Sequence, residues 1–263
     1  MKTGAIKTER GSMEYFSFGE GSRVLLILPG LGIKKISASA RAVEATYGIF
    51  KKDYTVYVFD RGDALPAGCT INDFAEDTSK AMNELGIARA DVFGASMGGM
   101  IAQSLALEHP ELVRSIILGS TLSRPNDTAR RMIGRWIELA RSRDVASMAR
   151  EMTESLYSES LSAQFEMIAE LMFSGVTDPD FDRFIIQAEA IESFDVYDRL
   201  TEITCPVFVI GVENDKVVTA EASRCIAERL GCDLYMYGGE YGHCVFDEAP
   251  DYRKRMINWL ASV

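Results

Sequence analysis

Apolar residues along this chain fall into two rhythms, short continuous runs and stripes spaced three or four residues apart, which alternate from the amino terminus to about residue 120. Val24 to Leu28, Tyr54 to Phe59, Ala90 to Phe93 and Val113 to Leu118 read as strands. Ser37 to Phe50, Asp73 to Leu85 and Met97 to Glu108 read as helices, the second closed by Gly86 and the third stopped at His109-Pro110. Strand and helix in alternation predict a parallel sheet with helices on both faces. Ahead of these units, Met13 to Phe18 reads as an edge strand and Gly19 to Ser22 as a turn, so an opening hairpin into Val24 to Leu28 is expected.

From about Leu122 to Leu200 the strand rhythm stops and four amphipathic stripes follow one another. They are Met132, Ile133, Trp136, Ile137 and Ala140; then Val145, Met148, Met152 and Leu156; then Leu161, Phe165, Ile168 and Met172; then Phe181, Phe184, Ile185, Ala188 and Ile191. Asp144 suits the cap of the second helix, Gly175 the end of the third and Pro179 the first turn of the fourth. Strands return with Pro206 to Ile210 and Asp233 to Tyr237, separated by a helix over Ala220 to Leu230 and followed by a last helix from about Ala249 to Leu260. The expected organisation is an α/β core of residues 1–121 and 201–263 carrying an inserted helical cap over 122–200.

The composition, 47% hydrophobic and 25% charged over 263 residues, excludes collagen-like, disordered and disulfide-scaffold classes. A net charge of −11 repels polyanions, so nucleic acid is not an expected partner. No apolar run nears the roughly 18 residues of a membrane span, and the first residues lack the apolar stretch of a secretory signal. The odd set of five cysteines, with no C-x-x-C, reads as reduced thiols in a cytoplasmic chain. No His, Cys and Asp cluster has zinc spacing, so neither metal nor cofactor is expected.

Gly94-Ala95-Ser96-Met97-Gly98, with Gly99 after it, lies between an expected strand and an expected helix. That is the setting of a nucleophile elbow, where small flanking residues let strand and helix approach. A serine hydroxyl needs a base, normally histidine oriented by a carboxylate. Of the two histidines, His109 is about 13 residues, roughly 20 Å of helix, from Ser96 and reads as a helix-terminal residue. His243 follows the last expected strand, in the loop from Gly238 to Gly242, at the edge where strand ends converge. The carboxylate is expected after the preceding strand, where Asp215 is the choice and Glu213 its competitor. Oxyanion donors are expected from the amide of Met97 and from the Leu31 amide in Pro29-Gly30-Leu31-Gly32. That glycine loop lacks both G-x-G-x-x-G and a P-loop lysine, which sets phosphate binding aside.

With these residues in hand, the chain resembles the α/β-hydrolase superfamily over nearly its whole length. The resemblance is carried by Leu28-Pro29-Gly30-Leu31-Gly32, Phe59-Asp60-Arg61-Gly62, Ile71 to Asp77, Gly94 to Met100, Gly211 to Asp215 and Gly242-His243. It points to the capped esterase and lactonase branch, including enol-lactonase-like members. It implies Ser96 as nucleophile, Asp215 rather than Glu213 as acid, His243 as base, and Leu31 and Met97 as oxyanion amides. Two positions depart from the pattern. Pro29 replaces the histidine that often precedes the oxyanion glycine, and Asp63-Ala64-Leu65-Pro66 replaces a small glycine-serine run.

The implied activity is hydrolysis of a small carboxylic ester, thioester or lactone through an acyl-enzyme on Ser96. The alternatives are lyase, C–C bond hydrolase or perhydrolase chemistry on the same triad, or a receptor-like ligand binder with incidental turnover. Serine at the elbow, where an aspartate would form an alkyl ester, argues against the haloalkane dehalogenase and epoxide hydrolase branches. Three features stay open between a structural and a functional role. Met132, Met148, Met152, Met167 and Met172 either pack the cap or line an apolar pocket. Arg130, Arg131, Arg135, Arg141 and Arg143 form either a solvated face or a greeting for an anionic substrate, and Cys244 is either a small filler or a redox-sensitive thiol.

Overall fold

Eight segments rich in β-branched and aromatic residues pair into one sheet in the computed structural model. It describes the backbone of residues 1–263 and all side chains except those of Phe165, Glu166 and Leu171. Phe165, placed above in the third apolar stripe, therefore lies outside the described side chains. The strands are β1 (Lys2–Thr8), β2 (Gly11–Phe18), β3 (Arg23–Leu28), β4 (Tyr54–Gly62), β5 (Ala90–Ala95), β6 (Val113–Gly119), β7 (Val207–Val212) and β8 (Asp233–Tyr237). Their order is β1-β2-β4-β3-β5-β6-β7-β8, antiparallel from β1 to β4 and parallel from there on.

The expected opening hairpin is replaced by a different one. β2 pairs with β1 and β4, and β3 sits beyond β4, so Gly19 to Ser22 joins strands that do not touch. β3 is a continuous apolar run buried on both faces, which suits a central parallel position. β1, the true edge, escapes notice because only Ile6 and Thr8 are buried along it.

Alternation along the central strands divides the core in two. Leu26, Leu28, Val92 and Ile116 face one side, with helices α2 (Ile71–Glu84), α3 (Met97–Glu108) and α9 (Ala220–Leu230). Leu25, Ile27, Phe93 and Ile117 face the other, with α1 (Ala40–Thr46), α10 (Val245–Glu248) and α11 (Tyr252–Leu260). The helix expected over Ser37 to Phe50 is broken into two short 3-10 turns flanking α1, with Gly48 at the second break. The last expected helix begins late because Pro250 separates α10 from α11. Helix α2 starts at a capping box in which Thr70 accepts from the Asp73 amide and Asp73 from the Thr70 amide.

Between β6 and β7 the regular elements described are all helices: α4 (Asp127–Ser142), α5 (Val145–Leu156), α6 (Glu159–Ser162), α7 (Phe165–Phe173) and α8 (Asp178–Glu192), followed by a 3-10 helix (Tyr197–Glu202). The third expected helix is thus split into α6 and α7. Asp144 caps α5 by accepting from Ser147 N. Met148 and Met152 are buried in the core, whereas Met167 is 60% exposed. Arg135 pairs with Glu151 at 2.8 Å, Arg141 with Glu189 at 2.7 Å, and Arg143 with Asp182, all at the surface of this insert. Among the described residues no helix is long and apolar enough to cross a membrane.

Candidate active site

Strand β5 delivers Ser96 to the carboxyl edge of the sheet, where the backbone turns into α3 at φ 52°, ψ −120°. A serine in this conformation is strained by about 1–3 kcal/mol and is held there by its surroundings. Ser96 N donates to Gly119 O at 2.8 Å, and Thr121 Oγ1 donates to Ser96 O at 2.7 Å. The flanking glycines are required by close approach: a Cβ on Gly98 would lie 1.9 Å from Leu28 O, and one on Gly94 would lie 2.4 Å from Gly98 O. The loop after β3 packs on the serine, since a Cβ on Gly30 would stand 3.2 Å from Ser96 Cβ. Among the described residues, the amides of Leu31 and Met97 donate to no acceptor of the chain.

His243 and Asp215 meet across the ends of β8 and β7. His243 Nδ1 lies 3.0 Å from Asp215 Oδ1 and 2.9 Å from Oδ2, and the two residues are 1% and 8% exposed. Asp215 Oδ1 also accepts from the amides of Val217 and Val218, each at 2.8 Å. Burial pulls the Asp215 carboxyl upward, but the imidazole beside it and the two amides outweigh burial and hold it below its ordinary range. An ionised Asp215 fixes the proton on Nδ1 and leaves Nε2 as the ring's free nitrogen. Among the described residues no hydrogen bond joins Ser96 Oγ to His243; such contacts commonly tighten only with substrate bound.

Glu213 points elsewhere, pairing with Arg224 at 2.6 Å on the surface. His109 caps the far end of α3 and bonds Glu76 at 2.9 Å. Cys244 is buried, its amide donating to Leu156 O at 2.8 Å, and burial pushes its thiol well above the ordinary range, which suits a filler rather than a nucleophile.

Sequence reasoning missed a buried polar cluster beside the site. Asp60 and Arg61 end β4, and Arg183 and Gln187, one turn apart on α8, reach down to them. Arg183 pairs with Asp60, Asp60 Oδ2 accepts from Ile36 N at 2.8 Å, and Arg61 Nε donates to Gln187 Oε1 at 2.8 Å. The available signal was two charges directly continuing the apolar run of β4, which demands partners once buried.

The alpha/beta hydrolase fold family matches residues 23–250, from β3 to the turn before α11. The chain belongs to the α/β-hydrolase family. Its similar proteins include "Putative carbamate hydrolase RutD" of Caulobacter sp. (strain K31), 30% identical over 200 residues, 73% of either chain. The protein of the same name in Pseudomonas syringae pv. syringae (strain B728a) is 27% identical over 240 residues, 87% of this α/β hydrolase and 90% of the relative. In fold it is similar to the enol-lactonase of Burkholderia xenovorans LB400, with a TM-score of 0.82 at 21% identity, covering 98% of this chain and 100% of the other. MGS-M2, an alpha/beta hydrolase from a Medee basin deep-sea metagenome library, superposes with a TM-score of 0.87 at 19% identity, covering 98% and 97%.

Proposed function

We propose that this α/β hydrolase cleaves a small carboxylic ester, thioester or lactone by acyl transfer to Ser96. His243 Nε2 takes the proton from Ser96 Oγ as the oxygen attacks the carbonyl carbon. The amides of Leu31 and Met97 hold the resulting oxyanion, and His243 returns the proton to the leaving alcohol or thiol. A water deprotonated by His243 then attacks the acyl-enzyme and frees Ser96. Asp215 stabilises the imidazolium throughout. The helices α4 to α8 act as the cap that bounds the acyl pocket. The observation carrying the reading is the buried Asp215–His243 pair at the sheet edge that also presents the strained Ser96 elbow.

A second reading, carbamate hydrolysis, is supported by the names of the curated relatives. The same attack on the carbonyl of a carbamate ester would expel the alcohol and leave a carbamoyl-serine, which water would cleave to free Ser96 and a carbamic acid that loses carbon dioxide to give the amine. Both are tested with p-nitrophenyl esters of increasing acyl length and p-nitrophenyl carbamates, using wild type and Ser96→Ala. Wild-type turnover that falls by about 10³-fold or more in Ser96→Ala is expected. Fluorophosphonate labelling that persists in Ser96→Ala overturns the assignment.

A further inference from the structure

Arg61 is only 6% exposed, and each of its guanidinium nitrogens has a partner elsewhere in the chain. Nη1 donates to Pro29 O at 3.1 Å, Nη2 to Gly30 O at 2.7 Å, and Nε to Gln187 Oε1 at 2.8 Å. The second of these bonds matters for chemistry. Gly30 C=O and Leu31 N–H belong to one planar trans peptide, so they point in opposite directions. Holding the carbonyl on Arg61 turns the Leu31 amide away from the guanidinium.

Gly30 has no Cβ and is free to adopt either orientation of that peptide. A packed side chain at that position would meet Ser96, with Cβ 3.2 Å from Ser96 Cβ, so sterics cannot supply the choice. A buried cation facing two carbonyls supplies it through charge-assisted hydrogen bonds. Burial pushes the Arg61 guanidinium down to about 10, with Asp60 pulling the other way, and it remains charged at neutral pH. The fork is aimed in turn by α8. Gln187 Oε1 fixes Nε, while Gln187 Nε2 donates to Arg183 O at 3.2 Å, one turn back. Arg183 itself grips the β4 end through Asp60, Arg61 O at 3.2 Å and Gly62 O at 3.3 Å.

We propose that Arg61, aimed by Gln187 of helix α8, is a positioning residue that sets the Gly30–Leu31 peptide, so that the seating of α8 decides whether the oxyanion site is formed. The inference rests on the serine-hydrolase reading above and extends it to a pair of buried side chains behind the Gly30 loop.

The test compares wild type, Gln187→Met and Gln187→Glu in ester turnover, in inhibition by phenylboronic acid, and in thermal melting. The boronate adds to Ser96 Oγ and places an oxygen where the oxyanion forms. Gln187→Met, which keeps the side-chain volume and loses the acceptor, is expected to lower kcat about ten- to a hundredfold with KM changed less than about threefold. Its inhibition constant for phenylboronic acid should rise by a similar factor while the melting point moves little. Gln187→Glu, which keeps an oxygen for Nε, is expected to restore kcat to within about threefold of wild type.

A folded Gln187→Met with wild-type kcat and boronate affinity overturns the inference, as does Gln187→Glu no better than Gln187→Met. If Gln187→Met does not fold, Gln187→Asn, whose amide is withdrawn by one methylene, carries the same expectations. Wild-type protein that neither turns over esters or carbamates nor reacts with a fluorophosphonate fails the parent reading, and the inference falls with it. An active wild type with indifferent variants fails the inference alone.

Discussion

Ser96 is held by a backbone hydrogen bond that its amide donates to β6, by a threonine hydroxyl and by the close approach that two glycines allow. Adding a methyl at Gly98 forces the α3 amino terminus off Leu28 O, which is backbone and cannot swing aside. Gly98→Ala should lower stability by about 1–3 kcal/mol, read as a shift in urea midpoint, and should cost activity beyond that loss because the elbow itself moves. Asp215→Asn is expected to lower kcat about 10⁴-fold with the fold intact, since the neutral amide no longer fixes the imidazole tautomer. Near-wild-type steady-state turnover in that variant would exclude the pair from the chemistry. The strand-to-helix turn at Ser96 and the loop holding His243 were readable because each is a glycine-bearing stretch shortly after an expected strand. Choosing Asp215 over Glu213 needed more than spacing, and the difference lies in which carboxylate the β7 loop turns inward and which it leaves to Arg224. Arg61 and Gln187 could not be paired in advance, being 126 positions apart with nothing periodic to link them.

At the scale of elements, continuous apolar runs announced the central parallel strands, while the edge was misread because β1 buries so little. The helices between β6 and β7 were legible, but the polar contacts of α8 with the end of β4 were not, because Arg183 and Gln187 are single polar residues set among the apolar stripe of that helix. The Asp60–Arg183 pair shows what those contacts are worth. Removing one partner of a buried pair leaves an uncompensated charge, so Asp60→Asn should cost about 3–5 kcal/mol at pH 7. Burial raises the Asp60 carboxyl, but Arg183 and Arg61 outweigh it, and its value in the folded protein lies below the ordinary 3.8. Its stabilisation is therefore fully present above pH 3.8 and is lost as pH falls through the lower folded value. Urea unfolding of wild type and Asp60→Asn should differ most near neutrality and converge in acid. A gap that stays constant with pH would count against this account.

In the whole molecule, the insert is fastened at two places that flank the site. Besides α8 on the Arg61 side, the turn between α5 and α6 meets the histidine loop. Glu248 accepts from Ser158 N at 3.1 Å and from Gly242 N at 3.0 Å, and a Cβ on Gly242 would stand 2.4 Å from Tyr157 C. Glu248→Ala should therefore speed amide hydrogen exchange around residues 156–158 and 242–244 together, with a fall in kcat of about tenfold. Exchange that changes in only one of the two segments would mean they are not coupled. Such double fastening bears on how this scaffold can diversify. A helical segment grafted from another hydrolase would arrive without Arg183, Gln187 and the Ser158 turn, and would leave both the Gly30 loop and the His243 loop without their anchors. Substitutions between those anchors leave both loops held, so for any redesign the helices and the loops they fasten count as one unit.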